Sequence, residues 1–234
     1  MMGQGSFMET RKQSLLAILL VCFVPSISVI FGIKVIDDEL LAQIFFISCK
    51  LWIFIVPTLW YLRVENKSMS KVVPSKDGIR MGAITGVIMS IIILFTWFIF
   101  ESTLDVNQMV GTLESKGLSN INLYIAGMLY WIFLNSLLEE YVFRWYVTTK
   151  SIILLGNENT AIIFSASLFT LHHAIALHLF GFLWWQTALA SIGLLSAAAI
   201  WSWLYIRYRS IWVCWLSHAI CDIAVFGIGY TILF

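Results

Sequence analysis

The chain has 234 residues, of which 60% are hydrophobic and only 12% charged, and its 14 basic and 13 acidic side chains leave a formal net charge of +1. Soluble globular domains carry about 25% charged residues, so this composition excludes that class and reads as an integral membrane protein. The near-balanced charge gives no sign of a nucleic-acid partner. Cys22, Cys49, Cys214 and Cys221 lie in apolar stretches with no C-x-x-C, which argues against a disulfide framework or a zinc ribbon.

A spanning helix needs about 20 mostly apolar residues. Seven segments qualify: 14–33, 41–62, 82–100, 121–147, 160–180, 182–205 and 211–234. The expected fold is therefore an all-α membrane protein with about seven transmembrane helices. The stretch 102–120 is where an eighth, short or re-entrant, piece would sit. Arg11 and Lys12 precede the first run, which is too long for a signal-peptide core and has no small-x-small cleavage site after it, so it reads as the first helix.

Alternate loops differ in charge. Arg11, Lys12, Arg63, Lys67, Lys71, Lys76, Arg80, Arg144, Lys150, Arg207 and Arg209 fall on one side. Asp37, Asp38, Glu39, Glu101, Asp105 and Glu114 fall on the other, with only Lys34 and Lys116 as bases. Positive loops stay in the cytoplasm, so the expected orientation has a cytoplasmic N-terminus and an outer C-terminus. Lys50, in the second run, is read as a snorkelling or paired residue without a catalytic role.

The chemistry lies after residue 138. The fourth run is free of charge until Glu139-Glu140-Tyr141-Val142-Phe143-Arg144. A charge at the centre of a bilayer costs about 2.5–3.5 kcal/mol even on lenient insertion scales, so three together point to a functional site. Glu140 and Arg144, four apart, share a helical face and can pair. Glu139 lies about 100° away and is left for a proton or a water.

The fifth run places His172 and His173 mid-span. The seventh places His218 and Asp222 four apart on one face, with His218 about 10 Å along the helix from the cytoplasmic end. Lipid cannot satisfy such groups, so they must meet one another or water. A base, a group to hold water and donors for an oxyanion are what hydrolysis needs. His172 and His178 read as packing or interfacial residues.

Other intramembrane hydrolase patterns fail. There is no H-E-x-x-H. Gly117-Leu118-Ser119 is followed by Asn120 and lies in a loop, and Gly227-Ile228-Gly229 is followed by Tyr230.

Glu-Glu-x-x-x-Arg at 139–144, Phe-x-x-x-His at 169–173 and His-x-x-x-Asp at 218–222 come in that order on late membrane helices. Together they resemble the CPBP family of CAAX prenyl endopeptidases and bacteriocin-processing or immunity proteins, over 121–230. The resemblance implies an intramembrane protease in which Glu139 activates water with His173. Glu140 and Arg144 would hold the helix and the site, while His218 and Asp222 face the oxyanion. It selects His173 over His172.

Asp222 stands where better-known eukaryotic members have Asn. An ionised Asp cannot donate to an oxyanion, so it must be protonated, orient His218 or bind a metal. The family has been described both as metalloproteases and as glutamate-dependent proteases. The cofactor is accordingly none or a divalent metal such as zinc, with Glu139, His173, His218 and Asp222 as the ligands if one is present.

The resulting expectation is one membrane domain, with 1–120 as scaffold or substrate gate and 121–234 as catalytic core. Its partners would be the lipid bilayer and a peptide or protein substrate at the membrane, such as a C-terminal tail. Compactness suggests a prokaryotic plasma-membrane enzyme. The competing readings are a non-catalytic immunity or scaffold protein and a proton-coupled transporter. The latter lacks the expected repeats and broken helices.

Overall fold

The computed structural model describes residues 4–69, 72–114 and 120–234. Lys71, Lys116 and Gly117-Leu118-Ser119 lie outside them. Among the described residues there is no strand, and seven helices are long and apolar enough to cross a membrane. In chain order these spans are Thr10–Val35, Glu39–Val64, Lys76–Thr103, Ile121–Leu155, Glu158–Leu179, Trp184–Tyr208 and Ile211–Leu233. Between the third and fourth lies one short helix, Val106–Glu114, too brief to cross.

Helix starts are set by short polar side chains that accept the orphan backbone N–H groups of a first turn. Asp38 accepts from Leu41 N at 2.7 Å, Ser75 from Gly78 N at 3.0 Å, Asn120 from Asn122 N at 2.9 Å and Asn157 from Thr160 N at 3.1 Å. Gly156 (φ 72°) closes the fourth span just before the Asn157 cap, and left-handed Arg209 (φ 52°) closes the sixth just before the seventh. Turns this tight make each pair antiparallel neighbours.

Outward faces are apolar: Phe98, Ile192 and Leu134 are 73%, 64% and 61% exposed. Inside lie Glu140 and Arg144, fully buried among Phe143, Phe169 and Trp201. Such an arrangement, greasy outside and polar within, suits a lipid solvent.

Two features aim the later spans. The third and seventh pack closely at Gly82 and Gly86. A Cβ on Gly82 would stand 2.5 Å from the Val213 carbonyl oxygen, and one on Gly86 2.9 Å from that of Ser217. Thr85 Oγ1 meets Ser217 Oγ at 3.0 Å, and Ser90 Oγ donates to the Ile220 carbonyl at 3.0 Å. The seventh span is thus held in place on both sides of His218.

The fourth span is not a uniform α-helix. Wide π-helical turns occupy Tyr130–Asn135 and Tyr141–Thr148, either side of the α-turn Ser136–Glu140. π turns are rare and concentrate at functional sites. Here the second one is stabilised by Thr148 and Ser165, whose hydroxyls both donate to the Phe143 carbonyl, at 2.8 and 3.2 Å.

Candidate active site

The fourth, fifth and seventh spans bring their polar residues to one place. Arg144 Nε donates to Glu140 Oε2 at 3.0 Å, and Arg144 Nη1 to Ser202 Oγ on the sixth span at 3.2 Å. The guanidinium also lies 4.7 Å from the Phe169 ring centre and 5.5 Å from that of Trp201, so aromatic faces take over part of its lost hydration.

Glu140 turns its second oxygen to His218, with Oε1 2.9 Å from Nδ1. A carboxylate only accepts, so Nδ1 carries the proton. That leaves Nε2 pointing the other way, 3.8 Å from Glu139 and 3.6 Å from Asp222. Trp201 stacks on this imidazole with ring centres 4.1 Å apart, and its Nε1 donates to Ser217 Oγ at 3.1 Å. The ring is clamped in orientation as well as position.

Glu139 belongs to a different set of partners. Its Oε1 accepts from Asn135 Nδ2 at 2.8 Å, and Asn135 Oδ1 accepts from Lys50 Nζ at 2.5 Å. On the fifth span, His173 Nδ1 donates to the Phe169 carbonyl at 3.0 Å, which fixes the tautomer and leaves Nε2 with its lone pair free. One ligand atom each from Glu139, His172 and His173 lies within 4.8 Å of the others. A water bonded at about 2.8 Å to two groups bridges about 4.6 Å, so groups this close are within reach of one shared water.

All six residues singled out in the sequence are therefore near neighbours. Two sequence readings gain detail from the structure. His172, read as packing, is buried beside Glu139 and His173, its ring centre 4.0 Å from that of His173. Among the described residues one candidate ligand group is Glu139, His172 and His173; His218 Nε2 also lies 3.8 Å from Glu139 and 3.6 Å from Asp222. Two imidazoles and a carboxylate are a donor set that fits a catalytic divalent ion with an open position.

One site residue escaped the sequence reading, and another, Lys50, was read only as snorkelling or paired. Asn135 could have been noticed as a polar residue four before Glu139, hence on its face. Nothing in the spacing of the second span announces that Lys50 reaches the fourth.

Residues 121–224 match the family model described as Type II CAAX prenyl endopeptidase Rce1-like. The matched stretch holds Glu139, Glu140, Arg144, His172, His173, His218 and Asp222, whereas Lys50 lies before it. No curated protein and no solved structure matches the chain.

Proposed function

With residues 121–224 forming a domain of the Rce1-like type II CAAX prenyl endopeptidase family, we propose that this chain is an intramembrane endopeptidase. It hydrolyses a peptide bond of a membrane-associated substrate, such as a C-terminal tail. The observation that carries this reading is the convergence of one ligand atom each from Glu139, His172 and His173 within 4.8 Å of one another.

In the reaction, Glu139 takes a proton from the water, whose oxygen adds to the carbonyl carbon of the scissile amide. The free Nε2 of His173 accepts the second hydrogen of the water and so orients it. The carbonyl oxygen becomes an oxyanion, to which Nε2–H of imidazolium His218 donates. Glu140, accepting from Nδ1–H, stabilises that imidazolium, and Asp222 stands beside Nε2 at the oxyanion. The C–N bond then breaks, the proton held by Glu139 passes to the leaving nitrogen, and a carboxylic acid and an amine result.

Arg144 neutralises Glu140 and keeps it from competing for the same proton. A divalent ion such as zinc, when bound, would be held by Glu139, His172 and His173 and would supply Lewis-acid polarisation and a more acidic water. The basic loops support a cytoplasmic N-terminus for the enzyme.

Glu139→Gln tests the reading, because the amide keeps the shape and loses the base. Cleavage of membrane-anchored peptides by the purified chain should fall by about 10²-fold or more, with the thermal midpoint unchanged. Wild-type biological activity in that variant would replace the protease with the immunity or scaffold reading.

A further inference from the structure

The second span, Glu39–Val64, lies before the matched domain, yet one of its side chains reaches the site. Lys50 stands about 17 Å along the helix from Glu39, at 1.5 Å per residue, and so lies near the middle of the span. Its own helix steadies it, with Nζ 5.3 Å from the Phe46 ring centre. Across the bundle it donates to Asn135 Oδ1 at 2.5 Å. Asn135, buried about one helical turn before Glu139, donates in turn through Nδ2 to Glu139 Oε1 at 2.8 Å.

The order of donors gives this line of hydrogen bonds a direction. An ammonium has only hydrogens to offer, an ionised carboxylate only lone pairs, and an amide has one end of each kind. Lys50 therefore takes the oxygen of Asn135 and turns its NH2 group toward Glu139. The reverse amide would set oxygen against carboxylate and NH2 against ammonium. Lys50 and Glu139 also attract each other as opposite charges, which draws the three side chains together. At the far end the amide holds Oε1 and leaves Oε2 on the side of His218, 3.8 Å from Nε2.

We propose that Lys50 and Asn135 are positioning residues for Glu139: the ammonium fixes the amide, and the amide fixes which carboxylate oxygen meets the water. The purpose rests on the endopeptidase reading; the line of hydrogen bonds does not. A catalytic base is itself oriented by a third group, and here the orienting charge comes from the first half of the chain. The catalytic unit thus extends beyond the matched domain to the second span.

The test uses the full chain in nanodiscs, with an internally quenched peptide anchored by a palmitoyl chain as the probe. Lys50→Met should lower kcat about 10–100-fold, the scale of a misplacement of about 1 Å, with KM changed by less than about threefold. Lys50→Arg, also a pure donor, should recover most of the loss. Asn135→Leu should lower kcat to the same degree. Adding Lys50→Met to it should cost nothing more, because the link is already cut. A merely structural role would lower the thermal midpoint and leave the kcat of the folded protein intact.

Wild-type kcat in Lys50→Met or Asn135→Leu overturns the proposal, as does an equal loss from Lys50→Met with and without Asn135. If Lys50→Met fails to fold, Asn135→Leu decides alone. The side-chain amide resonance of Asn135, assigned by its absence in Asn135→Leu, is a readout that needs no cleavage. It should move in Lys50→Met and in Glu139→Gln, and a resonance that stays put in either refutes the line of hydrogen bonds. A wild-type chain that cuts nothing while the resonance moves counts instead against the endopeptidase reading.

Discussion

The imidazole of His218 lies between two consecutive carboxylates, with Nδ1 2.9 Å from Glu140 and Nε2 3.8 Å from Glu139. One ring therefore connects the buried Glu140–Arg144 ion pair to the carboxylate that meets the histidines of the fifth span. Glu140 is tied to Arg144, whereas Glu139 is tied to Asn135. Neighbours in sequence thus have separate partners, and the proposed division between structure and chemistry can be tested residue by residue.

Arg144→Ala should be far more destabilising than Glu139→Gln. It leaves Glu140, fully buried, without its cation, and breaking a buried pair costs about 3–5 kcal/mol. Arg144→Lys should restore little, since the guanidinium reaches Glu140 and Ser202 with separate nitrogens. Equilibrium unfolding in detergent measures both; a wild-type midpoint for Arg144→Ala would mean that the pair holds nothing.

Asp222→Asn should retain cleavage to within about tenfold. Asp222 stands 3.6 Å from His218 Nε2, and an amide there can donate to an oxyanion where an ionised acid cannot. Loss of cleavage in a folded variant would assign Asp222 a charge-orienting or metal-holding role.

Gly82→Ala should loosen the third span from the seventh. The new methyl would meet backbone, the Val213 carbonyl, which cannot rotate away. A cost of about 1–3 kcal/mol and reduced cleavage through the displaced His218 are expected. Gly227→Ala is the control: nothing lies within 4 Å of its added Cβ, and a helical Gly-to-Ala change alone contributes about 0.8–1 kcal/mol of stability. Equal effects at the two positions would refute the close-packing role.

Glu65, between the second and third spans, predicts a pH dependence. Burial pushes its carboxyl up, but Lys150 and Lys67 outweigh that and hold it below the ordinary 4.5. A carboxylate lowered in the folded state contributes stability that is full above its unfolded value and lost as pH falls through the folded one. The thermal advantage of the wild type over Glu65→Gln should thus be constant well above 4.5 and shrink below it. An advantage that grew on acidification would contradict the ion pair.

Much of this was legible in the sequence because it depends on local periods. Runs of about 20 apolar residues located all seven spans. Four-residue spacing located Glu140 with Arg144 and His218 with Asp222. Gly78, Gly82 and Gly86, also four apart, were equally readable as a small-residue stripe, yet only the structure identified the seventh span as what they face. Lys50 was read as a snorkelling or paired residue because its partner lies 85 positions away. His172 was read as packing because the resemblance selects His173, four after Phe169; the structure brings both imidazoles near Glu139.

The two wide turns of the fourth span bear on which length changes this chain could tolerate. Such a turn absorbs one surplus residue and holds back the face that follows by about 100°. Tyr124 donates to the Phe226 carbonyl and Trp131 stacks on Phe226, while Glu140 meets His218, all on the seventh span. Nine uniform α-helical steps would set Trp131 and Glu140 about 180° apart. With the surplus residue absorbed, the separation is about 80°, and one neighbour serves both. Removing a single residue from 130–135 would leave a helix still long enough to span the bilayer, but with its N-terminal half and its carboxylates facing different neighbours. Substitutions in that stretch test packing. A deletion there tests register, and it would separate insertion into the membrane from assembly of the site.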